Sequence, residues 1–140
     1  MMKCILALDV GTKTIGVARV SLPGGVPTPH STIARKGVKK DVARLTRLIT
    51  ELKIDDIVVG LPFELDGTEG RSARLARQIG EALSDSTNLP IHFQDERYST
   101  VVAEERLMAA GYDGFQRKEK IDQAAAAVIL GDYLDGIQTD

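Results

Sequence analysis

The sequence predicts an α/β fold, and three patterns carry that expectation. Short apolar runs bounded by turn residues recur at 3–9, 14–21 and 56–60, with another ahead of Asp95-Glu96, and read as strands. Elsewhere apolar residues return every three or four positions, the period of an amphipathic helix. The order is three strands, then helix, strand, helix, strand, helix, helix. The first strands therefore pair as hairpins, and the later ones join through helical crossovers.

Each element has its own signal. The run Ile5-Leu6-Ala7-Leu8 ends at Asp9 ahead of a glycine turn, and Ile15-Gly16-Val17-Ala18 resumes it: strand, tight turn, strand. Pro23-Gly24-Gly25 is a turn, followed by a less apolar strand over roughly 28–35. Val42, Leu45, Ile49 and Leu52 recur at helical spacing and place a helix over 38–52. Asp56-Ile57-Val58-Val59-Gly60 is a short buried strand stopped by Pro62. Thr68-Glu69-Gly70 opens a second helix whose core stripe reads Leu75, Ile79 and Ala82. Leu89-Pro90-Ile91-His92-Phe93 leads into a strand ending at Asp95-Glu96. A helix runs from about Thr100 to Ala110, closed by Gly111. The last helix, near 119–136, carries Ile121, Ala125, Val128 and Ile129. No repeat, low-complexity segment or linker interrupts the chain, so residues 1–140 are expected to form a single domain.

Composition narrows the function classes. The chain has 140 residues, 43% hydrophobic and 27% charged, as in a globular protein. No apolar stretch approaches the ~20 residues that a membrane span needs. Met1-Met2-Lys3-Cys4 leads straight into a strand, so no signal peptide is expected. The single cysteine excludes an internal disulfide, and Cys4 is expected as a small buried residue. These features predict a cytoplasmic protein without a membrane partner. The net charge of −2 argues against a broad nucleic-acid-binding surface but leaves room for a local basic patch.

The acidic residues at element ends hold the chemical information. An ionised Asp9 beside buried strand residues costs several kcal/mol unless something compensates it. Strand ends in α/β domains are also where ligands sit. Asp95 and Glu96 end another strand, and Asp122 is expected in the first turn of the last helix, ahead of Ala124-Ala125-Ala126-Ala127. Each has an ordinary explanation. Asp9 suits a turn before glycine, Asp95 or Glu96 can pair with Arg97, and Asp122 suits a positive helix terminus. Together they resemble a cage for a hard cation, Mg²⁺ or Mn²⁺, which prefers oxygen ligands and promotes phosphodiester chemistry. The clustered His and Cys expected of zinc are lacking, since His30 and His92 stand alone.

Four ordered motifs then resemble one family. Asp9-Val10-Gly11-Thr12-Lys13-Thr14-Ile15-Gly16-Val17-Ala18 is similar to the opening of the YqgF family, also called RuvX. Val59-Gly60-Leu61-Pro62 with Asp66-Gly67-Thr68-Glu69-Gly70, Asp95-Glu96-Arg97-Tyr98-Ser99-Thr100, and Lys120-Ile121-Asp122-Gln123-Ala124-Ala125-Ala126 follow in the family's order. The last motif often has Ser where Gln123 stands. The resemblance covers about residues 3–135. It implies an RNase H-like fold, a five-stranded mixed sheet flanked by helices. It also implies a metal-dependent nuclease acting on the 5′ end of pre-16S rRNA in ribosome biogenesis or, by fold analogy, a Holliday junction resolvase acting on branched DNA. Carried over, Asp9, Glu96 and Asp122 are the expected catalytic and metal-binding acids.

Strand parity bears on the choice within the acidic pair. Asp95 shares parity with Ile91 and Phe93, which look buried, and Glu96 with His92 and Gln94, which favours Glu96 on a wetter face. A twist at the strand end would reverse this, so Asp95 stays the second candidate. Gly11 and Gly16 would let backbone approach the site closely. Lys13, Arg71, Arg74, Arg97 and Lys118 are the candidate phosphate contacts, with Arg77, Arg117 and Lys120 nearby. Aromatic residues are few, so shape and phosphate readout are expected over base readout. Two other readings stand beside the nuclease. Asp9-Val10-Gly11-Thr12 also resembles the first phosphate loop of actin-like nucleotide-binding proteins, which need two such domains, and a non-catalytic RNA-binding assembly factor would carry the same motifs.

Overall fold

A computed structural model describes residues 2–96 and 98–138 of the chain. Its elements are β1 (Lys3–Val10), β2 (Thr14–Leu22), β3 (Thr28–Ala34), α1 (Val38–Leu52), β4 (Asp56–Leu61), α2 (Arg71–Thr87), β5 (Ile91–Asp95), α3 (Ser99–Ala109) and α4 (Gly114–Gln138). The strands form one mixed sheet in the order β3-β2-β1-β4-β5. The hairpin strands β1, β2 and β3 pair antiparallel, whereas β4 and β5 join parallel to β1 through helical crossovers. This is the five-stranded RNase H-like sheet that the motifs imply.

Both faces of the sheet are covered, which is why the central strands read as continuous apolar runs. Leu6, Leu8 and Val10 of β1 point with Ile15 and Val17 of β2 toward α1 and α2. Ile5 and Ala7 point the other way, against Ile129, Leu130 and Leu134 of α4. Helix α3 packs on α4 through Ala103 against Ala125 and Val128.

Three expectations need correction. The buried stripe of α2 is Ala73, Ala76, Ile79, Gly80 and Leu83, with Leu75 and Ala82 only half-buried. Small residues turn toward the sheet because α2 sits close to β5, where a side chain at position 80 would strike Phe93 within 2.8 Å. Cys4 is half-buried, its Sγ 3.5 Å from the Ser21 hydroxyl. The last helix begins at Gly114, not near 119. Its start is a capping box: Gln116 N–H donates to Asp113 Oδ1 at 2.9 Å, and Asp113 N–H donates to Gln116 Oε1 at 2.9 Å. Asp122 therefore stands about two turns into α4 at ~3.6 residues per turn, out of reach of the helix-terminus explanation. Among the described residues no helix is long and apolar enough to cross a membrane.

Candidate active site

Two close approaches assemble the acidic residues on the α4 face of the sheet. Asp9 lies opposite Gly16 in the β1–β2 ladder. A Cβ on Gly16 would fall 2.0 Å from the Asp122 carbonyl oxygen, so the backbone of α4 rests directly on β2 there. Only glycine permits that seat, which carries Asp122 to the neighbourhood of Asp9. The second approach is at Gly60, where a Cβ would fall 2.6 Å from Ile129 Cδ1 and 2.8 Å from Glu96 Oε2. The Glu96 side chain thus lies back across β4 toward β1, and its N–H donates to the Leu61 carbonyl at 3.3 Å. Asp9 and Glu96 share a side-chain hydrogen bond.

Of the pair that ends β5, Glu96 is therefore the one brought to Asp9, while Asp95 is exposed. Parity pointed to Glu96, but its face is not the wetter one. Helix α4 covers it and leaves Glu96 only 9% exposed. Burial pushes the Glu96 carboxyl up to about 9, reinforced by the Asp9 charge and their shared hydrogen bond and opposed by Ser99. Asp9 rises to about 6, chiefly by burial; the hydrogen bond with Glu96 pulls it down, and the Asp122 charge pushes it up. Near neutral pH the two carboxyls hold a proton between them.

Ser99 opens α3 and is buried, its hydroxyl donating to the Glu96 carbonyl at 3.0 Å and lying 3.4 Å from Glu96 Oε2. Thr14 Oγ1 donates to Asp122 Oδ2 at 2.5 Å, and Thr32 Oγ1 donates to Gln123 Oε1 at 3.3 Å. Ser99 and Thr14 lie inside the sequence motifs and Thr32 outside them, and nothing in the sequence pairs these hydroxyls with their partners.

The turn between β1 and β2 is clamped from behind. Gly11 N–H donates to the Thr14 carbonyl at 2.8 Å, and Arg35 N–H donates to the Lys13 carbonyl at 2.9 Å. The Arg35 guanidinium donates to the Gly11 carbonyl at 3.1 Å and to Asp41 Oδ2 at 3.0 Å. Lys36 N–H satisfies Asp41 Oδ1 at 2.9 Å.

In front, an open cleft of about 250 Å³ is lined by Asp9, Glu96, Pro62, Phe63, Ser72, Ser99 and Thr100, so the first turns of α2 and α3 border the acids. Among the described residues no three His, Cys, Asp or Glu side chains stand close enough together to hold a metal ion as they are. Asp9 and Glu96 share a hydrogen bond, and Asp122 is bonded to Thr14. The donor set still fits a hard divalent cation in chemistry and charge. All three are carboxylates, Glu96 buried and Asp9 and Asp122 half-buried, and the proton that Asp9 and Glu96 share occupies the place of missing positive charge.

The candidate phosphate contacts divide into two groups. Lys13, Arg71, Arg74 and Lys118 are exposed and make no ion pair among the described residues. Arg71 begins α2 beside the cleft residue Ser72, and Lys118 stands one helical turn before Asp122. Arg77 is committed elsewhere: it binds Glu69 at 2.6 and 2.7 Å and stacks over Phe93 at 4.9 Å. Arg117 binds Glu104 at 2.8 Å. Arg97 lies outside the described residues. The motif at 66–70 builds a loop, with Asp66 accepting from the Thr68 N–H at 3.0 Å and Glu69 anchoring Arg77.

Comparison with known proteins agrees with this architecture. The family model RuvX, described as Holliday junction resolvase, matches residues 3–136. A protein of Syntrophomonas wolfei named "Putative pre-16S rRNA nuclease" is 41% identical over 132 residues, covering 94% of each chain. Among solved structures, T. thermophilus RuvC in complex with Holliday junction substrate has a TM-score of 0.62 at 13% identity, covering 96% of each chain. A ROK family protein from Streptococcus pneumoniae TIGR4 in complex with sucrose has a TM-score of 0.51 at 20% identity, over 79% of this chain and 40% of that one. The two structures share the fold; the sequence match spans the whole motif series, and with it the chain belongs to the RuvX family.

Proposed function

We propose that this protein is a metal-dependent nuclease that hydrolyses phosphodiester bonds of pre-16S rRNA, with residues 1–140 acting as one cytoplasmic nuclease domain. The observation that carries the proposal is the Asp9–Glu96 pair at the cleft, Glu96 buried and Asp9 half-buried, with the Asp122 charge beside it. Two carboxyls are held together in a low-dielectric setting where no cation among the described residues compensates either, a poor arrangement for stability and a suitable one for binding a cation. Mg²⁺ or Mn²⁺ bound there supplies charge to offset the phosphodiester oxygens and to acidify an attacking water.

The chain's own residues do the rest. Asp9, Glu96 and Asp122 would hold the cation, Asp9 and Glu96 giving up the proton they share. Ser99 holds Glu96 in place. Lys13, Arg71, Arg74, Arg97 and Lys118 hold the backbone phosphates, so recognition follows strand shape over base identity. The relative from Syntrophomonas wolfei carries an rRNA name at 41% identity, which favours RNA over branched DNA as the substrate.

A cleavage assay tests the reading, with 5′ pre-16S rRNA fragments and a four-way DNA junction offered in Mg²⁺ or Mn²⁺. The RNA should be cut only with the metal present, and ATP should not be hydrolysed. Asp9→Asn, Glu96→Gln and Asp122→Asn should each lose about a thousandfold in rate while retaining RNA binding, since they remove groups that act on the transition state. Full activity in Glu96→Gln, with loss in Asp95→Asn, would overturn the assignment within the pair.

A further inference from the structure

We propose that Thr14 is the positioning residue for Asp122, fixing which carboxylate oxygen it offers to a cation in the cleft; this rests on the nuclease reading above. The two residues lie 108 positions apart in sequence, yet the Thr14 hydroxyl donates to Asp122 Oδ2 at 2.5 Å. That bond occupies one oxygen and leaves Oδ1 as the ligand. An aspartate on a helix is otherwise free to choose among staggered side-chain rotamers.

The bond is one part of a platform built by the β2–β3 hairpin. Thr14 and Gly16 are two residues apart on β2, so both face α4. Gly16 sets the backbone of Asp122, since any Cβ would meet its carbonyl oxygen at 2.0 Å and its carbonyl carbon at 2.2 Å. Thr32, the β3 partner of Gly16, binds the next side chain, Gln123, at 3.3 Å. Backbone, side chain and neighbour of Asp122 are thus each held by a different residue of one hairpin. Of the three contacts, only the one from Thr14 touches the carboxylate. Asp9 lies on β1, across the β1–β2 ladder from Gly16. Strand β2 therefore sets the spacing of two acids at once, as an outer layer around a metal site does.

The test is Mn²⁺ binding by calorimetry, without nucleic acid, on the full chain. Thr14→Val removes the hydroxyl at nearly constant shape, and affinity should fall about tenfold or more, the range usual for outer-layer partners of a metal site. Thr14→Ser should recover most of it. In an Asp122→Asn background Thr14→Val should have no further effect, because its influence passes through that carboxylate. Wild-type affinity in Thr14→Val overturns the inference, as does an equal loss in Thr14→Ser or a loss that persists in Asp122→Asn. Unchanged affinity in Asp122→Asn alone overturns the underlying reading of the site instead. Thermal melts accompany each variant, and Thr14→Ala carries the test if Thr14→Val unfolds.

Discussion

Two acidic sites, each with a buried carboxylate, Asp41 in one and Glu96 in the other, lie on opposite sides of the β1–β2 turn, and their surroundings differ in kind. Asp41, 2% exposed, is answered fully within the chain, by the Arg35 guanidinium at one oxygen and the Lys36 N–H at the other. Glu96, 9% exposed, is answered by Asp9, another acid, and by the weaker contact with Ser99. Burial is similar, but compensation is not. The first arrangement holds the turn, since Arg35 also binds the Gly11 carbonyl at 3.1 Å. Among the described residues the second leaves an electrostatic deficit, which a bound cation would fill. Buried charge serves structure where its partner is built in, and points to function where the partner is missing.

The sharpest way to break this comparison is to remove one acid from each set. Asp41→Ala strips the partner from a buried arginine, and losses of ~3–5 kcal/mol are usual in that case. Urea unfolding should show a drop of that order, with the midpoint shifted and the slope retained. Asp9→Asn, in metal-free buffer, should cost little or raise stability, because it removes a carboxyl that no cation among the described residues compensates. A similar large loss in both variants would mean that the Asp9–Glu96 pair is structural.

The next effect is smaller and depends on pH. Asp9 and Glu96 both titrate above the ordinary carboxylate range when folded, to about 6 and about 9. Between that range and about 9 the native state holds protons that the unfolded chain has released, so stability falls as pH rises. Below the ordinary range both states are protonated and the penalty vanishes. In EDTA the melting temperature should therefore decline from about pH 5 to pH 9, by an amount on the order of a few kcal/mol in free energy. Glu96→Gln should flatten most of that decline, and saturating Mn²⁺ should oppose it by binding only the ionised pair. A wild-type melting temperature that does not fall over this interval would contradict the uncompensated state of the pair.

How far the sequence announced these sites depends on how local each signal is. The strand–turn–strand carrying Asp9 is written in adjacent residues, and the choice of Glu96 rests on the family motif, with strand alternation beside it. The wetter-face reasoning failed, because the covering helix α4 comes from a distant segment. A helix placed near 119–136 puts Asp122 in its first turn, yet the real start is marked by Asp113 and Gln116 three residues apart. That capping signal was present but is short, and the alanine run masks it. Gly16 against Asp122, Thr14 with Asp122 and Arg35 with Asp41 are side-chain meetings that only the folded topology creates. A buried charged pair is the hardest to foresee, since hydropathy places both partners at the surface.

The smallest predicted effect applies the same distinction to cations. Arg77 is held by Glu69 and by the face of Phe93, whereas Arg71 and Lys118 are exposed near the cleft and the acids. A cation already neutralised by a carboxylate releases few counterions from a nucleic acid, so Arg77→Gln should leave the salt dependence of RNA binding almost unchanged. Each uncommitted cation that meets a phosphate contributes ~0.7–0.9 to the slope of log affinity against log salt. The double change Arg71→Gln, Lys118→Gln should lower that slope by about 1.5 and weaken binding several-fold at low salt, in the same proportion for unrelated RNA sequences. Fluorescence titrations at four or five salt concentrations measure it. A slope that drops for Arg77→Gln and not for the double change would reverse the division between committed and available cations, and would move the phosphate path from the cleft to the outer side of α2.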